Sequence, residues 1–157
     1  MKFAKVTNAP KPRVKAAQNV AIAYAVLLII VTMSQLFKFE DFFPIFSGYS
    51  SSITPAWAAF IGSAAVFVEV FAVPALIRMP LSKLFRYMSY AFAVVAPLFW
   101  LVFVFVGALS GYDGNSGLFG ATLKVHVGVA PVVISGALLA LATYSVYGLQ
   151  GAKPHHK

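Results

Sequence analysis

The run WAAFIGSAAVFVEVFAVPALI, residues 57–77, constrains this chain most. About twenty residues of helix cross a hydrocarbon core of roughly 30 Å, and this run is that long and almost wholly apolar. Inside it stands one carboxylate, Glu69, eight residues before Ile77, or about 12 Å above that end at 1.5 Å per residue. A basic stretch, RMPLSKLFR, follows at once with Arg78, Lys83 and Arg86.

Three further runs match it. Residues 20–37 form a first span, retained because the run is too long for a signal-peptide core and no small-residue cleavage site follows. Residues 87–109 form a third, with Pro97 near its centre, and residues 123–149 a fourth, rich in small and hydroxylic positions that let helices approach in lipid. A neighbour is expected to satisfy the carbonyl that Pro97 frees. The expected fold class is therefore all-α, a polytopic four-transmembrane-helix bundle. Its expected parts are a basic segment over residues 1–18, the membrane domain over 19–149, and a tail over 150–157.

The connections read as follows. Residues 38–55 form a loop dense in Phe, whose Phe42, Phe43, Phe46 and Tyr49 either lie at the interface or cap the bundle. Thr54 and Pro55 read as the cap and first residue of helix two, and Ser82 as the cap of helix three. Residues 110–120, SGYDGNSGLFG, form a glycine-rich turn.

Only 10% of residues are charged, against about 25% in soluble domains, and the net charge of +8 gathers at span ends rather than on one face. That distribution argues against nucleic acid and for membrane lipids as partners. The excess of Lys and Arg before span one, in the middle linker and in the tail places both termini in the cytoplasm of a bacterial or archaeal plasma membrane. Cysteine is absent, which excludes disulfide exchange, thioether haem and thiol relays.

Glu69 is the candidate catalytic residue. An intramembrane carboxylate is costly and faces the bundle interior. It serves as a proton relay, a cation site, a contact for a polar head group, or hydrogen-bonded glue between helices. Buried without a cation it should be protonated near neutral pH, and depth counting makes Ser135 its nearest partner, with Thr32 somewhat higher and Tyr24 lower. Arg78 is expected to snorkel to lipid phosphates.

His126, at the outer end of helix four, and Trp100, in the outer aromatic belt with Trp57, are the candidate cofactor contacts. Quinone or a bound lipid is the cofactor class they suit. His126 reads otherwise as an interfacial residue, and counting along the helices keeps it away from Glu69. Haem is disfavoured because no second histidine lies in a span, no metal site is expected, and His155 and His156 read as tail.

The basic N-terminus, the long first outer loop, the acid in FVEVFAVPALI and the short basic linker together resemble the DoxX-like family of small four-helix membrane proteins. The resemblance spans nearly the whole chain and implies association with quinone-linked oxidoreductase systems, with Glu69 as the carried-over acid. Three functions stay open: an accessory subunit of a larger membrane complex linked to electron transfer, a quinone-interacting oxidoreductase subunit, and a small oligomeric proton, ion or solute transporter. Other membrane subunits or further copies of the chain are the protein partners these imply.

Overall fold

Four helices are long and apolar enough to cross a membrane, and they build the protein, an all-α polytopic bundle. The structure, a computed structural model, describes residues 6–150. A two-residue strand β1 (Val6–Thr7) leads to α1 (Lys15–Leu36), α2 (Phe39–Tyr49) and α3 (Pro55–Leu76). Then come β2 (Leu81–Ser82), α4 (Lys83–Leu109) and α5 (Val129–Leu149). α1 and α4 each pack against both α3 and α5, so the four long helices close a ring in which α1 faces α4 diagonally.

Local chemistry sets the helix ends. Thr54 Oγ1 accepts from Trp57 N at 3.4 Å with Pro55 beginning the helix, and Ser82 Oγ accepts from Phe85 N at 3.3 Å. α3 ends at Leu76, and just beyond it Arg78 has a left-handed φ of 60° while Met79 donates back to Pro74 O at 3.0 Å. Pro97 cannot donate, so the carbonyl of Ala93 one turn earlier lacks its helical partner. The Tyr24 hydroxyl donates to that carbonyl at 2.6 Å, as a proline-containing span in lipid requires. Ser89 does a similar service beside Pro74, donating to Phe71 O at 2.7 Å and accepting from Ala75 N at 3.2 Å.

Without a hydrophobic force between helices in lipid, close packing has to hold them together. The buried faces are accordingly small: Ala17, Ala21 and Ala25 on α1, Ala58, Ala65, Ala72 and Ala75 on α3, Ala93 and Ala96 on α4. A methyl at Gly148 would run into the Ala17 side chain, so α1 and α5 touch almost backbone to backbone there. Large apolar residues such as Ile30, Phe60, Val102 and Val133 face outward, where a bilayer would cover them.

Two differences from the sequence reading matter. Residues 39–49 are a helix rather than a loop: Phe39, Phe42, Phe43 and Phe46 recur at helical spacing, and Phe42 and Phe46 are fully buried. Pro44 lies within this helix, which packing on α3 holds in place. α5 begins at Val129 and not near residue 123, because residues 125–127 join the preceding loop. Ser116 N donates to Val125 O at 2.7 Å, and Val127 N to Gly114 O at 2.9 Å.

The bundle thus has two unlike ends. The terminal face carries β1 paired antiparallel with β2, and the arginines secure this strap. Arg86 donates to Thr7 O, Asn8 O and Leu81 O, and Arg13 Nε donates to Gln150 O at 2.7 Å while lying over the Tyr147 ring. Arg78 does not reach out to lipid phosphates: it donates to Gln18 Oε1 at 2.9 Å and to Pro10 O at 3.2 Å. Chain is close enough there to take both of its terminal nitrogens first. The loop face carries α2 and the 110–128 loop.

Candidate functional site

Apolar packing falls into two clusters, and Glu69 sits between them. Toward the terminal face lie Tyr24, Leu28, Ala72, Leu76, Tyr90 and Leu138. Toward the loop face lie Phe42, Phe46, Val66, Trp100 and Leu118. At the junction Glu69 is only 1% exposed.

Three side chains from two other helices surround its carboxyl. Trp100 Nε1 donates to Oε1 at 2.7 Å, and Gln35 Nε2 donates to the same oxygen at 3.1 Å. Thr32 Oγ1 lies 2.8 Å from Oε2. The same Gln35 nitrogen donates to Leu118 O in the loop at 3.1 Å. No lysine, arginine or histidine pairs with the carboxyl among the described residues.

Side-chain direction explains how residues at different depths meet. Each Cα–Cβ bond tilts toward the N-terminus of its own helix. α3 starts at the loop face, so Glu69 leans that way; α1 and α4 start at the terminal face, so Gln35, Thr32 and Trp100 lean toward it. Ser135, the partner expected from depth, makes no bond to Glu69, and its Oγ has no protein partner. Its helix starts at the loop face like α3, so both side chains lean the same way, and the late start of α5 shifts it further.

The donor chemistry limits where a proton can sit. Indole and amide N–H groups donate only, so Oε1 must act as acceptor toward both. A hydroxyl donates or accepts, which leaves Oε2, facing Thr32, as the oxygen that can carry hydrogen. An unpaired charge in this dry interior is costly, which opposes ionisation, while the three donors would serve a carboxylate as well; a neutral acid would carry its proton on Oε2.

Trp100 is therefore no belt residue: it is 1% exposed and touches Glu69. It also lines an apolar cleft of about 250 Å³ between α3 and α4, with Phe60, Ala64, Val68, Val95 and Phe99. Thr32 lines a second cleft of similar size, between α1 and α3, with Met33, Val70 and Pro74. The carboxyl is thus one side chain removed from each cleft. His126 is exposed in the loop, where it bridges Asn115 through the backbone instead of standing on α5, and no bond joins it to Glu69. His155 and His156 fall outside the described residues. No group of three or more His, Cys, Asp or Glu that would hold a metal forms among the described residues.

Gln35 was not singled out in the sequence, and its signal was weak. It is a polar residue at the end of an apolar run, which reads as a boundary. Gly120 explains its burial: with φ of 66°, it lays the loop directly on α1, where a Cβ would meet Gln35 Cα at 2.6 Å and Ser34 O at 2.8 Å. Thr122 Oγ1 donates to Ser34 O at 3.0 Å and secures the same contact.

No family model, no curated protein and no solved structure matches this chain. Its class rests on its own geometry: a small integral membrane protein built around a buried carboxyl.

Proposed function

We propose that the chain is a small subunit of a larger membrane complex linked to electron transfer, with Glu69 as its protonic centre. The observation that carries this is the carboxyl itself, held by Trp100, Gln35 and Thr32 at the junction of the two cores with no basic partner among the described residues. One hydroxyl would suffice for glue between two helices. A centre that gathers donors from α1 and α4, and ties one of them to the loop, holds a titratable group in fixed geometry. The unbroken apolar exterior of α4, including Leu98, Val102, Phe105 and Val106, offers a packing face to other subunits or a second copy. The charge distribution supports cytoplasmic termini, since basic residues dominate the terminal face while Glu40, Asp41 and Asp113 lie at the loop face.

A second reading has its own support. In a DoxX-like, quinone-interacting subunit the cleft beside Trp100 would receive an apolar ring or tail, with Glu69 exchanging protons with the quinone oxygen. Trp100 favours it by belonging to both the cleft and the carboxyl site. His126 would then serve as a loop-face contact for a partner and not for the quinone.

Mild extraction followed by identification of co-purifying proteins tests the first reading, and mass analysis of extracted lipids tests the second. Recovery of the chain alone as a monomer, with no quinone, contradicts both. If Glu69 acts through its proton, Glu69→Gln assembles normally and stops the activity of the complex.

A further inference from the structure

Among the described residues, two buried polar atoms on the loop-face side of Glu69 lack a protein partner. Gln35 Oε1 is one, on a residue that is 0% exposed and whose nitrogen touches the carboxyl. Ser116 Oγ is the other, also on a residue at 0% exposure. One loop residue, Gly117, separates Ser116 from Leu118, whose carbonyl accepts from Gln35. The Ser116 backbone is itself fully used: its carbonyl accepts from Tyr49 Oη at 2.9 Å and its N–H donates to Val125 O. Beyond it come Asn115, which donates to Gly120 O at 2.9 Å, then exposed Asp113 and His126.

We infer that Glu69 exchanges its proton with the loop face alone, through hydration sites held by Gln35 Oε1 and Ser116 Oγ beneath the 110–128 loop. This deepens the protonic reading of Glu69 and rests on it. A buried oxygen without a protein partner costs the desolvation of that group unless water reaches it. A water donating to Gln35 Oε1 stands one amide group from the carboxyl, and a water on Ser116 Oγ continues toward the surface. The carboxylic acid gives its proton to water on this side and takes one back from water, so charge and atoms balance.

The opposite direction is sealed. Below Glu69, Leu28, Ala72, Leu76 and Ala93 are buried and apolar. Tyr24 and Ser89 there are already committed, Tyr24 donating to Ala93 O and Ser89 to Phe71 O. Ser135 and Ser145 on α5 are also unpartnered among the described residues, but neither bonds to Glu69 or to its donors. The titratable groups around the carboxyl are then Tyr24 below it, and Tyr49, Tyr112, Asp113 and His126 on the loop side.

Hydrogen–deuterium exchange of the carboxylic acid band, assigned by its loss in Glu69→Gln, tests this in full-length protein in lipid nanodiscs. Ser116→Ala and Gln35→Met should each slow exchange by about tenfold or more, equal to ~1.4 kcal/mol on the barrier. Tyr24→Phe and Ser145→Ala should leave the rate unchanged. Equal rates in Ser116→Ala and wild type, or slowing by Ser145→Ala, would overturn the route; Ser116→Ala is small enough to keep the fold if Gln35→Met does not. Exchange reads access only. A failed route therefore leaves the protonic role to be judged separately, by the activity of Glu69→Gln.

Discussion

Trp100 Nε1 lies 2.7 Å from Glu69 Oε1, and that contact joins α4 to α3 at the level where the two apolar clusters meet. Trp100→Phe keeps the ring against Phe42, Phe46 and Phe99 but removes the donor. Interhelical hydrogen bonds in membranes contribute about 0.6–1.7 kcal/mol, and the loss should fall in that range. Ser135→Ala should cost less, since that hydroxyl has no protein partner to lose. Unfolding in mild detergent, run on both variants, checks the order.

The Tyr24–Ala93 bond gives a coupled prediction. Tyr24→Phe leaves the carbonyl freed by Pro97 without a partner and should destabilise by about 1–3 kcal/mol. In a Pro97→Ala background residue 97 regains its N–H and can satisfy Ala93 O along the helix. Tyr24→Phe should then cost much less. Additive costs in the four-way cycle would mean that the tyrosine does not serve the proline's carbonyl.

What could be read from the residues, and what could not, divides along this physics. Span existence was legible because a hydrocarbon core demands some twenty apolar residues in a row, and the Thr54 and Ser82 caps because their chemistry is local. The need for a partner at Pro97 was legible too, since a missing N–H has a fixed consequence. Of the partners of Glu69, Thr32 was within reach of depth counting, but Gln35 and Trp100 were not. Counting rise per residue locates Cα atoms, but Glu69 and its donors meet through side chains that lean in opposite directions on antiparallel helices. That reversal put Ser135 in place of Gln35 and Trp100. The α2 helix was missed because its phenylalanines also suit an interface-lying loop, and the short, loop-committed start of α5 because Val125 and Val127 look like helix.

The loop face should be sensitive to alkali. Burial pushes the Tyr49 hydroxyl up from its ordinary value of 10.0, and neighbouring Tyr112 adds to the shift. Burial also raises Tyr112, with Asp113 contributing. A raised folded value means that stability is fully present below about pH 10 and falls as pH rises beyond it, because the unfolded chain loses these protons first. Thermal unfolding followed from pH 8 to 11 should show the decline begin near pH 10 and shrink in Tyr49→Phe. An identical profile in that variant would remove Tyr49 from the account.

Topology is open to labelling, as the native chain has no cysteine. Ser51→Cys and Lys124→Cys, both exposed at the loop face, should react with an impermeant reagent applied to sealed cells. Lys83→Cys, exposed at the terminal face, should not; it is a better probe than Ser82, which caps α4. Labelling at position 83 alone would invert the orientation.

The central claim is that Glu69 holds a proton on Oε2 while Oε1 accepts from Trp100 and Gln35. The infrared difference spectrum of wild type minus Glu69→Gln, taken near neutral pH in lipid, tests it most directly. The account predicts that the substitution removes a protonated carboxylic C=O band, shifted by the strong hydrogen bonding at Oε1 and altered again in Trp100→Phe. Loss of a carboxylate band in its place would show Glu69 ionised and contradict the account.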